Sequence, residues 1–139
     1  MPPRNIKDVV TSVLYCKGKI LILHRSGKVG TYRGYWAGVS GHIESGDTPE
    51  DRALIEIEEE TGIRRKDVKI LAKGKTVYTQ GENSVTWRVH PFLVESKTRN
   101  VKIDWEHTGY RWIEPGELGK YNTTPNFNKV AKDLLELLK

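Results

Sequence analysis

Runs of apolar and β-branched residues predict strands in the first third and in the centre of the chain. Residues 9–15 and 20–24 form two such runs, and the Lys-Gly-Lys sequence between them favours a tight turn, so we expect a β-hairpin. Residues 68–79 and 84–95 form a second, longer pair of runs separated by a polar stretch. We expect this pair to form two further strands.

Helical periodicity is confined to two segments. Residues 48–61 carry apolar residues toward one side, and residues 126–138 form a second amphipathic helix. Between the hairpin and the first helix, residues 25–47 are rich in glycine and predict a long loop with a short strand near residues 37–40. A last short strand is predicted at residues 110–113. In the second helix, the residues expected to face inward are Val130, Leu134, Leu135 and Leu138.

The first helix has well-defined start and stop signals. Thr48 is a suitable N-cap, Pro49 suits the first helical position, and Gly62 suits the left-handed residue that follows a helix. Residues 47–60 hold seven acids and one base. The acids therefore extend to the carboxyl end, where the helix dipole disfavours negative charge.

Three of these acids are spaced to lie on one face of the helix. Glu56, Glu59 and Glu60 stand three and four residues apart, so their carboxylates repel one another. Each penalty is about 0.3–1 kcal/mol, and no lysine is interleaved to relieve it. A solvated charged face is the alternative explanation. Converging carboxylates are the ligands that Mg²⁺ requires, so the pattern predicts a metal site.

The same segment resembles the signature box of the Nudix hydrolases over residues 41–63. The matching positions are Gly41, Glu56, Ile57, Glu59, Glu60, Gly62 and Ile63. Two positions depart from the pattern, because Asp47 replaces a glutamate and Ile55 replaces an arginine. The resemblance implies an α+β fold, a Nudix-type α/β/α sandwich with a mixed β-sheet. We expect residues 1–139 to form a single domain of this type.

The resemblance also implies roles for individual residues. Glu59 and Glu60 would be the principal Mg²⁺ ligands, with Mn²⁺ as the alternative ion. Glu56 would be a further ligand and a candidate base. The family tends to use the carbonyl just before the box glycine, which is that of Ser40 here. A fourth acid on a later loop is common in the family; Glu106 is our choice, with Glu82 as the alternative and a plain surface acid as the other interpretation.

Arg52 is our candidate to replace the missing box arginine. It lies four residues before Glu56, within reach of a guanidinium–carboxylate contact, and on the carboxylate face of the helix. Ile55 falls beside the site and is expected to pack on apolar surface. The alternative is that Arg52 is only a solvated helix residue.

Substrate contacts are predicted at three positions. Arg25 and Arg88 could bind phosphate oxygens, or be solvated strand residues. Asn126 lies where some nucleoside-triphosphate members recognise a purine, or caps its own helix. His107 is expected to be polar loop filler. Each of the four tryptophans could stack a base or belong to the core: Trp36, Trp87, Trp105 and Trp112.

Composition and charge bear on the kind of substrate and on the cellular location. The net charge is +5, and residues 47–60 carry −6, so the remainder carries +11. A basic body around an acidic pocket suits a metal-bridged polyphosphate, although generic solubility or weak nucleic-acid attraction would also account for it. A single cysteine, Cys16, and the lack of a signal-peptide or membrane-spanning pattern predict a cytoplasmic protein.

These patterns predict a Mg²⁺-dependent pyrophosphohydrolase of a nucleoside triphosphate or other nucleoside diphosphate derivative. The alternatives are an ADP-ribose or dinucleotide pyrophosphatase, and a Nudix-like module that senses a nucleotide without cleaving it. An isopentenyl diphosphate isomerase would need a cysteine that residues 36–46 lack. We expect a small nucleotide substrate, a monomer or homodimer, and no membrane or nucleic-acid partner, with a capped RNA end left open.

Overall fold

The computed structural model describes residues 5–81 and 84–138. Eight strands lie within these residues, together with two α-helices and two short 3-10 helices. The strands are β1 Ile6–Cys16, β2 Lys19–Arg25, β3 Trp36–Ala37, β4 Val39–His42, β5 Val68–Lys73, β6 Val77–Gln80, β7 Thr86–Ser96 and β8 His107–Ile113. The α-helices are α1 Pro49–Thr61 and α2 Phe127–Glu136, and the 3-10 helices are Arg65–Asp67 and Pro115–Lys120.

All eight described strands join in one mixed sheet. At its centre β1 runs parallel to β7 along almost its whole length. The other edge of β1 is shared by two antiparallel partners, β4 at Val9 to Ser12 and β2 at Tyr15 to Cys16. Strands β5 and β6 follow one another along the outer edge of β7, and β3 and β8 flank β2. The mixed sheet and the predicted hairpin are confirmed.

Each face of the sheet is covered by one helix, because the long strands are apolar on both faces. Val10, Leu14 and Phe92 pack with Ile57 of α1 in one core. Val13 and Leu93, which have the opposite parity along β1 and β7, pack with Leu134 of α2 in the other. The result is a helix–sheet–helix sandwich, which places α1 against the β4 edge, where the acidic residues lie.

The caps predicted for α1 are all present. The Thr48 side chain accepts a hydrogen bond from the backbone N–H of Asp51, and Pro49 is the first helical residue. Gly62 adopts φ +73°, and its N–H donates to the carbonyl of Glu58. This left-handed conformation is why a glycine stands there. No basic residue lies in the last turn of the helix, so the end with the exposed carbonyls carries only acids.

Two expectations about secondary structure were wrong. Residues 68–79 do not form one strand, because the chain leaves the sheet between β5 and β6. The break falls at the Lys-Gly-Lys sequence of residues 73–75, where glycine disfavours a strand. It lies opposite Pro91 on β7, which has no N–H for a neighbouring strand and whose carbonyl accepts from Gly74 at 2.9 Å. In addition, Leu138 is 45% exposed and lies beyond the end of α2, so it does not join the inward face.

No helix within the described ranges is long and apolar enough to cross a membrane.

Candidate functional site

A cavity of about 330 Å³ lies beside β4 and the carboxyl half of α1. The cavity is lined by residues that lie up to 81 positions apart in the sequence, among them Arg25, Ser40, Glu56, Glu59 and Glu106. These are five of the residues predicted to bind metal or substrate. The elements that carry them are β2, β4, α1 and the loop before β8.

Glu56 approaches the backbone of β4 at Gly41. A β-carbon built at Gly41 would overlap the Glu56 carboxyl group, with Oε1 at 2.7 Å. Only glycine therefore lets this carboxylate lie against the main chain beside Ser40. The Ser40 side chain is held by Thr11, whose Oγ1 lies 3.1 Å from the Ser40 Oγ across the β1–β4 pair. Gly41 of the box thus leaves the space that Glu56 occupies.

Glu60 is the most unusual acid of the cluster. It is 2% exposed, and its Oε2 has no hydrogen-bond partner among the described residues. Burial, together with the neighbouring Glu56 carboxylate, holds the pKa of Glu60 well above its usual range. A buried carboxylate without a compensating partner is unfavourable for folding, so stability alone does not explain this residue.

His107 is a buried strand residue, which corrects its assignment as loop filler. It is 6% exposed, its Nδ1 donates to Asp104 at 2.9 Å, and its Nε2 lies 3.6 Å from Oε1 of Glu60. Burial lowers the pKa of His107, although the Asp104 carboxylate opposes this shift. A neutral imidazole cannot neutralise Glu60 as a cation would.

The donor set fits a hard divalent cation. Glu59 is exposed at the cavity and Glu56 lies at Gly41, whereas Glu60 does not line the cavity and keeps a buried carboxylate oxygen without a hydrogen-bond partner among the described residues. Within the described ranges, no three acidic, histidine or cysteine side chains already converge as a complete cage. The fit therefore lies in the chemistry of the donors and in the unpartnered Glu60 oxygen.

Arg52 contacts two acids of the box. Its Nη1 donates to Oε2 of Glu56 at 3.1 Å, and its Nε and Nη2 both approach Oδ2 of Asp47, at 2.8 and 2.6 Å. The structure thus brings Arg52 and Glu56 together as predicted, through one hydrogen bond and not a bidentate contact. Ile55 is half-buried on the neighbouring surface and forms a shallow depression with Glu58 and Glu59.

Glu106 faces the same cavity from the loop before β8, and Arg25 faces it from β2. Burial, Asp104 and Glu56 raise the pKa of Glu106, while Arg25 opposes the shift. Arg25 is held by the glycine-rich loop, because its Nε donates to the carbonyl of Thr31 at 3.0 Å. Glu82, the alternative fourth acid, lies outside the described residues.

Arg88 does not belong to the cavity, which corrects its assignment as a substrate contact. Trp87 and Val89 line the cavity, so the intervening residue of β7 projects from the other face of the sheet. There Nη2 of Arg88 donates to Oδ2 of Asp8 at 2.9 Å, and His90 contacts the same aspartate. Arg88 and Asp8 are direct partners in the β1–β7 register.

Asn126 is the N-cap residue of α2, but its side chain does not cap the helix. Its Nδ2 donates to Oγ1 of Thr79 at 2.9 Å, and its backbone adopts φ +66°. Thr79, Thr124 and Pro125 line the cavity. Asn126 therefore contacts the cavity wall through Thr79 but does not line the cavity itself.

Of the four tryptophans, Trp87 lines the cavity and Trp105 is 64% exposed outside it.

The sequence did not predict that Thr79, His42, Tyr32 or Asp104 would lie at or beside the site. Their positions depend on strand register and loop path, so no local pattern singles them out. Strict alternation along residues 86–89 is the one signal that could have placed Trp87 and Val89 on a common face.

Comparisons with known proteins agree with this architecture. The family model described as the NUDIX domain matches residues 6–138. The chain is 36% identical to an RNA pyrophosphohydrolase of Proteus mirabilis over 68% of this chain and 65% of that protein. It is 35% identical to an RNA pyrophosphohydrolase of Yersinia pestis over 68% of this chain and 66% of that protein. The chain thus spans just under two thirds of the length of these relatives.

Solved structures share the fold at low sequence identity. An Ap4A hydrolase of C. elegans, solved as a binary complex, superimposes with a TM-score of 0.82 at 19% identity, covering 95% of this chain and 97% of that chain. The NUDIX domain of Shewanella oneidensis NrtR, in complex with ADP ribose, gives 0.79 at 14% identity, covering 98% and 90%. These likenesses confirm the predicted α/β/α sandwich.

Proposed function

This chain belongs to the Nudix family, and from that premise we propose that it hydrolyses the diphosphate linkage of a nucleoside triphosphate or a related nucleoside diphosphate derivative. The observation that carries the proposal is Glu60, a buried carboxylate with an oxygen unpartnered among the described residues, one turn after Glu56. A buried carboxylate of this kind is unfavourable for folding, and a bound cation would compensate for it.

The candidate ligands are Glu56, Glu59, Glu60 and Glu106 with the carbonyl of Ser40. A Mg²⁺ or Mn²⁺ ion bound there would neutralise phosphate oxygens and lower the pKa of a bound water. The protein's own side chains would accept the proton from water and bind the phosphate oxygens.

Glu56 is our candidate for the general base. Arg52 donates to its Oε2, which leaves Oε1, the oxygen beside Gly41, to accept a proton from water. The water oxygen forms a bond to phosphorus while the bridging P–O bond breaks, and the leaving phosphate keeps that electron pair. Arg25 lines the same cavity as a cation that can bind phosphate oxygens.

We propose that residues 1–139 act as one domain, as a monomer or homodimer, on a small nucleotide in the cytoplasm. The 5′ end of an RNA is a second candidate substrate. It is favoured by the names of the relatives at 35–36% identity and by the +11 charge carried outside residues 47–60.

A hydrolysis screen in Mg²⁺ tests the proposal. It would compare nucleoside triphosphates, ADP-ribose, dinucleoside polyphosphates and 5′-triphosphorylated or capped RNA, with every product identified. We expect turnover of at least one nucleotide substrate, suppressed by chelator. A protein that binds nucleotides and turns over none of these compounds would instead be a sensing module.

A further inference from the structure

Glu106 lies on a turn that core packing alone does not hold in place. The N–H of His107 donates to the carbonyl of Asp104 at 3.2 Å, which closes the turn at the start of β8. Trp105, which precedes Glu106 at the tip, is 64% exposed. On one side the turn is braced by Oδ1 of Asp104, which accepts from the N–H of Glu106 at 3.3 Å. The position of Glu106 therefore depends on hydrogen bonds to the backbone of the turn.

Ser26 binds the two carbonyl groups at the tip of this turn. Its backbone N–H donates to the carbonyl of Glu106 at 2.7 Å, and its Oγ donates to the carbonyl of Trp105 at 3.1 Å. The same Oγ accepts from the N–H of Lys28 at 3.2 Å. Ser26 is 4% exposed and directly follows β2. Its hydroxyl thus joins two segments that lie 79 positions apart in the sequence.

The regular pairing of β2 with β8 is interrupted just before this contact. His24 pairs with Gly109, whereas Arg25 pairs with His107, so the register shifts by one residue between them. An irregularity of this kind disrupts the ladder of backbone hydrogen bonds locally. Ser26 extends the contact beyond the irregularity, and its hydroxyl adds a hydrogen bond that a regular ladder does not contain.

The same short segment carries another charged group of the cavity. Arg25 immediately precedes Ser26, and both Arg25 and Glu106 line the cavity. The backbone N–H of Arg25 donates to the carbonyl of Tyr35 at 2.8 Å, and its Nε donates to the carbonyl of Thr31. Arg25 is thus fixed to the glycine-rich loop, and Ser26 fixes the turn of Glu106 to the same segment. This segment therefore sets the spacing between a candidate phosphate contact and a candidate metal ligand.

We propose that Ser26 is a positioning residue that holds Glu106 at the metal site through the carbonyl groups of Trp105 and Glu106. The inference rests on the proposed function, in which Glu106 is one of the metal ligands. Mg²⁺ tolerates little deviation from octahedral geometry, so a displaced carboxylate binds it more weakly. Ser26 itself does not line the cavity, so it acts only through Glu106.

Ser96 is a matched control for the loss of a buried serine hydroxyl. It is 3% exposed and is the last residue of β7. Its Oγ donates to the carbonyl of Thr98 at 2.7 Å and accepts from the N–H of the same residue at 3.2 Å. Both serines therefore accept from the N–H two residues further on, but Ser96 and Thr98 lie outside the cavity. If the role of Ser26 were merely structural, Ser26→Ala and Ser96→Ala would have the same consequences.

Metal binding measures the effect without turnover. Electron paramagnetic resonance of Mn²⁺ titrated into the nucleotide-free protein would give its Kd for wild type, Ser26→Ala, Ser96→Ala and Glu106→Gln, each checked for folding by circular dichroism. We expect Ser26→Ala to raise the Kd about 10-fold, as at other sites that lose a residue orienting a metal ligand. Ser96→Ala should keep the wild-type Kd. The two serine variants should lower Tm alike, since each loses the hydrogen bonds of one buried hydroxyl.

A double variant tests whether Ser26 acts through Glu106. In a Glu106→Gln background, Ser26→Ala should raise the Kd for Mn²⁺ no further. Ser26→Cys keeps a group that donates more weakly, so its Kd should lie between those of wild type and Ser26→Ala. If Ser26→Ala does not fold, Ser26→Cys takes its place in every comparison.

The proposal would be overturned by a wild-type Kd for Mn²⁺ in Ser26→Ala or in Glu106→Gln, or by an equal loss of affinity in Ser96→Ala. Multiplying losses in the double variant would also overturn it, because Ser26 would then affect the metal by another route. In each case, nucleotide cleavage by the wild-type protein in Mg²⁺ would leave the hydrolytic proposal standing. The expected pattern of Mn²⁺ affinities in a protein that cleaves no nucleotide would support the role of Ser26 and reject the hydrolytic proposal.

Discussion

Nη1 of Arg52 lies 3.1 Å from Oε2 of Glu56, one helical turn further along α1, while Nη2 of the same guanidinium lies 2.6 Å from Asp47. The guanidinium thus links the start of the helix to the carboxylate that lies against Gly41. Both hydrogen bonds to Asp47 end on Oδ2, which also accepts from the backbone N–H of Glu44. Asp47 replaces the glutamate of the Nudix pattern. Its shorter side chain holds Arg52, which belongs to α1.

This geometry predicts that Arg52→Ala lowers turnover about 10–100-fold, the range seen when residues that orient metal ligands are lost. The reason is that Glu56 loses the donor on Oε2. Steady-state kinetics would measure the effect, and Arg65→Ala, an exposed arginine outside the cavity, is the control. The double variant Arg52→Ala/Ile55→Arg should recover part of the loss. Normal turnover in Arg52→Ala would show that the site works without a helix arginine.

Glu59→Gln and Glu60→Gln should each reduce activity at least ~100-fold, the scale of one lost electrostatic element. In the metal-free protein, thermal denaturation should show Glu60→Gln to be as stable as wild type or more so. The neutral amide is easier to bury than a carboxylate whose pKa is raised by burial and by Glu56. Glu58→Gln, exposed on the same helix, is the control. Wild-type turnover in both variants would exclude this site.

Glu106→Gln should raise the Mg²⁺ concentration needed for half-maximal activity, because an oxygen ligand is weakened without a change of shape. A Mg²⁺ titration of activity measures this, with Glu95→Gln on the exposed side of β7 as the control. An unchanged Mg²⁺ titration would show that Glu106 is only a surface acid. Glu82 would then be the candidate for the fourth acid.

The contact between Asp8 and Arg88 predicts a pH dependence of folding stability that does not involve the candidate functional site. The Arg88 guanidinium, helped by His90, holds the pKa of Asp8 well below its usual value of 3.8. A lowered pKa gives stability that is present above 3.8 and is lost as pH falls through the folded-state pKa. Asp8→Asn should therefore lower Tm at neutral pH, and its difference from wild type should shrink below about pH 3.8.

The same variant should keep normal turnover, as should Arg88→Ala, because neither residue lines the cavity. A rise in KM specific to Arg88→Ala would restore Arg88 as a substrate contact. A difference in Tm that does not shrink at all as the pH falls from 3.8 to 2 would show that Asp8 acts through packing and not through its charge.

Local signals were enough to predict α1, because Thr48, Pro49 and Gly62 act within the helix they delimit. The Arg52–Glu56 contact was predictable for the same reason, since helix geometry alone sets it. By contrast, Arg88 meets Asp8 across 80 positions, and Asn126 meets Thr79 across 47. Such contacts follow from strand register and from the path of the chain before α2, which no short pattern encodes.

The break between β5 and β6 shows a related limit. Residues 68–79 have strand propensity at both ends, but Gly74 interrupts it, opposite Pro91 on the neighbouring strand. The burial of His107 beside Glu60 likewise depends on β8 pairing with β2. Propensity predicted which segments form strands, and partner strands decided their ends.

Phosphorus-31 NMR of a nucleoside triphosphate incubated with the protein tests the central claim most directly. In Mg²⁺ we predict cleavage at a diphosphate linkage, with resonances of the shortened nucleotide and of phosphate or pyrophosphate growing together. The same spectra should stay unchanged with EDTA or with Glu60→Gln. Cleavage that persists at the wild-type rate in Glu60→Gln, or no cleavage of any nucleotide by the folded wild-type protein in Mg²⁺ or Mn²⁺, would contradict the account.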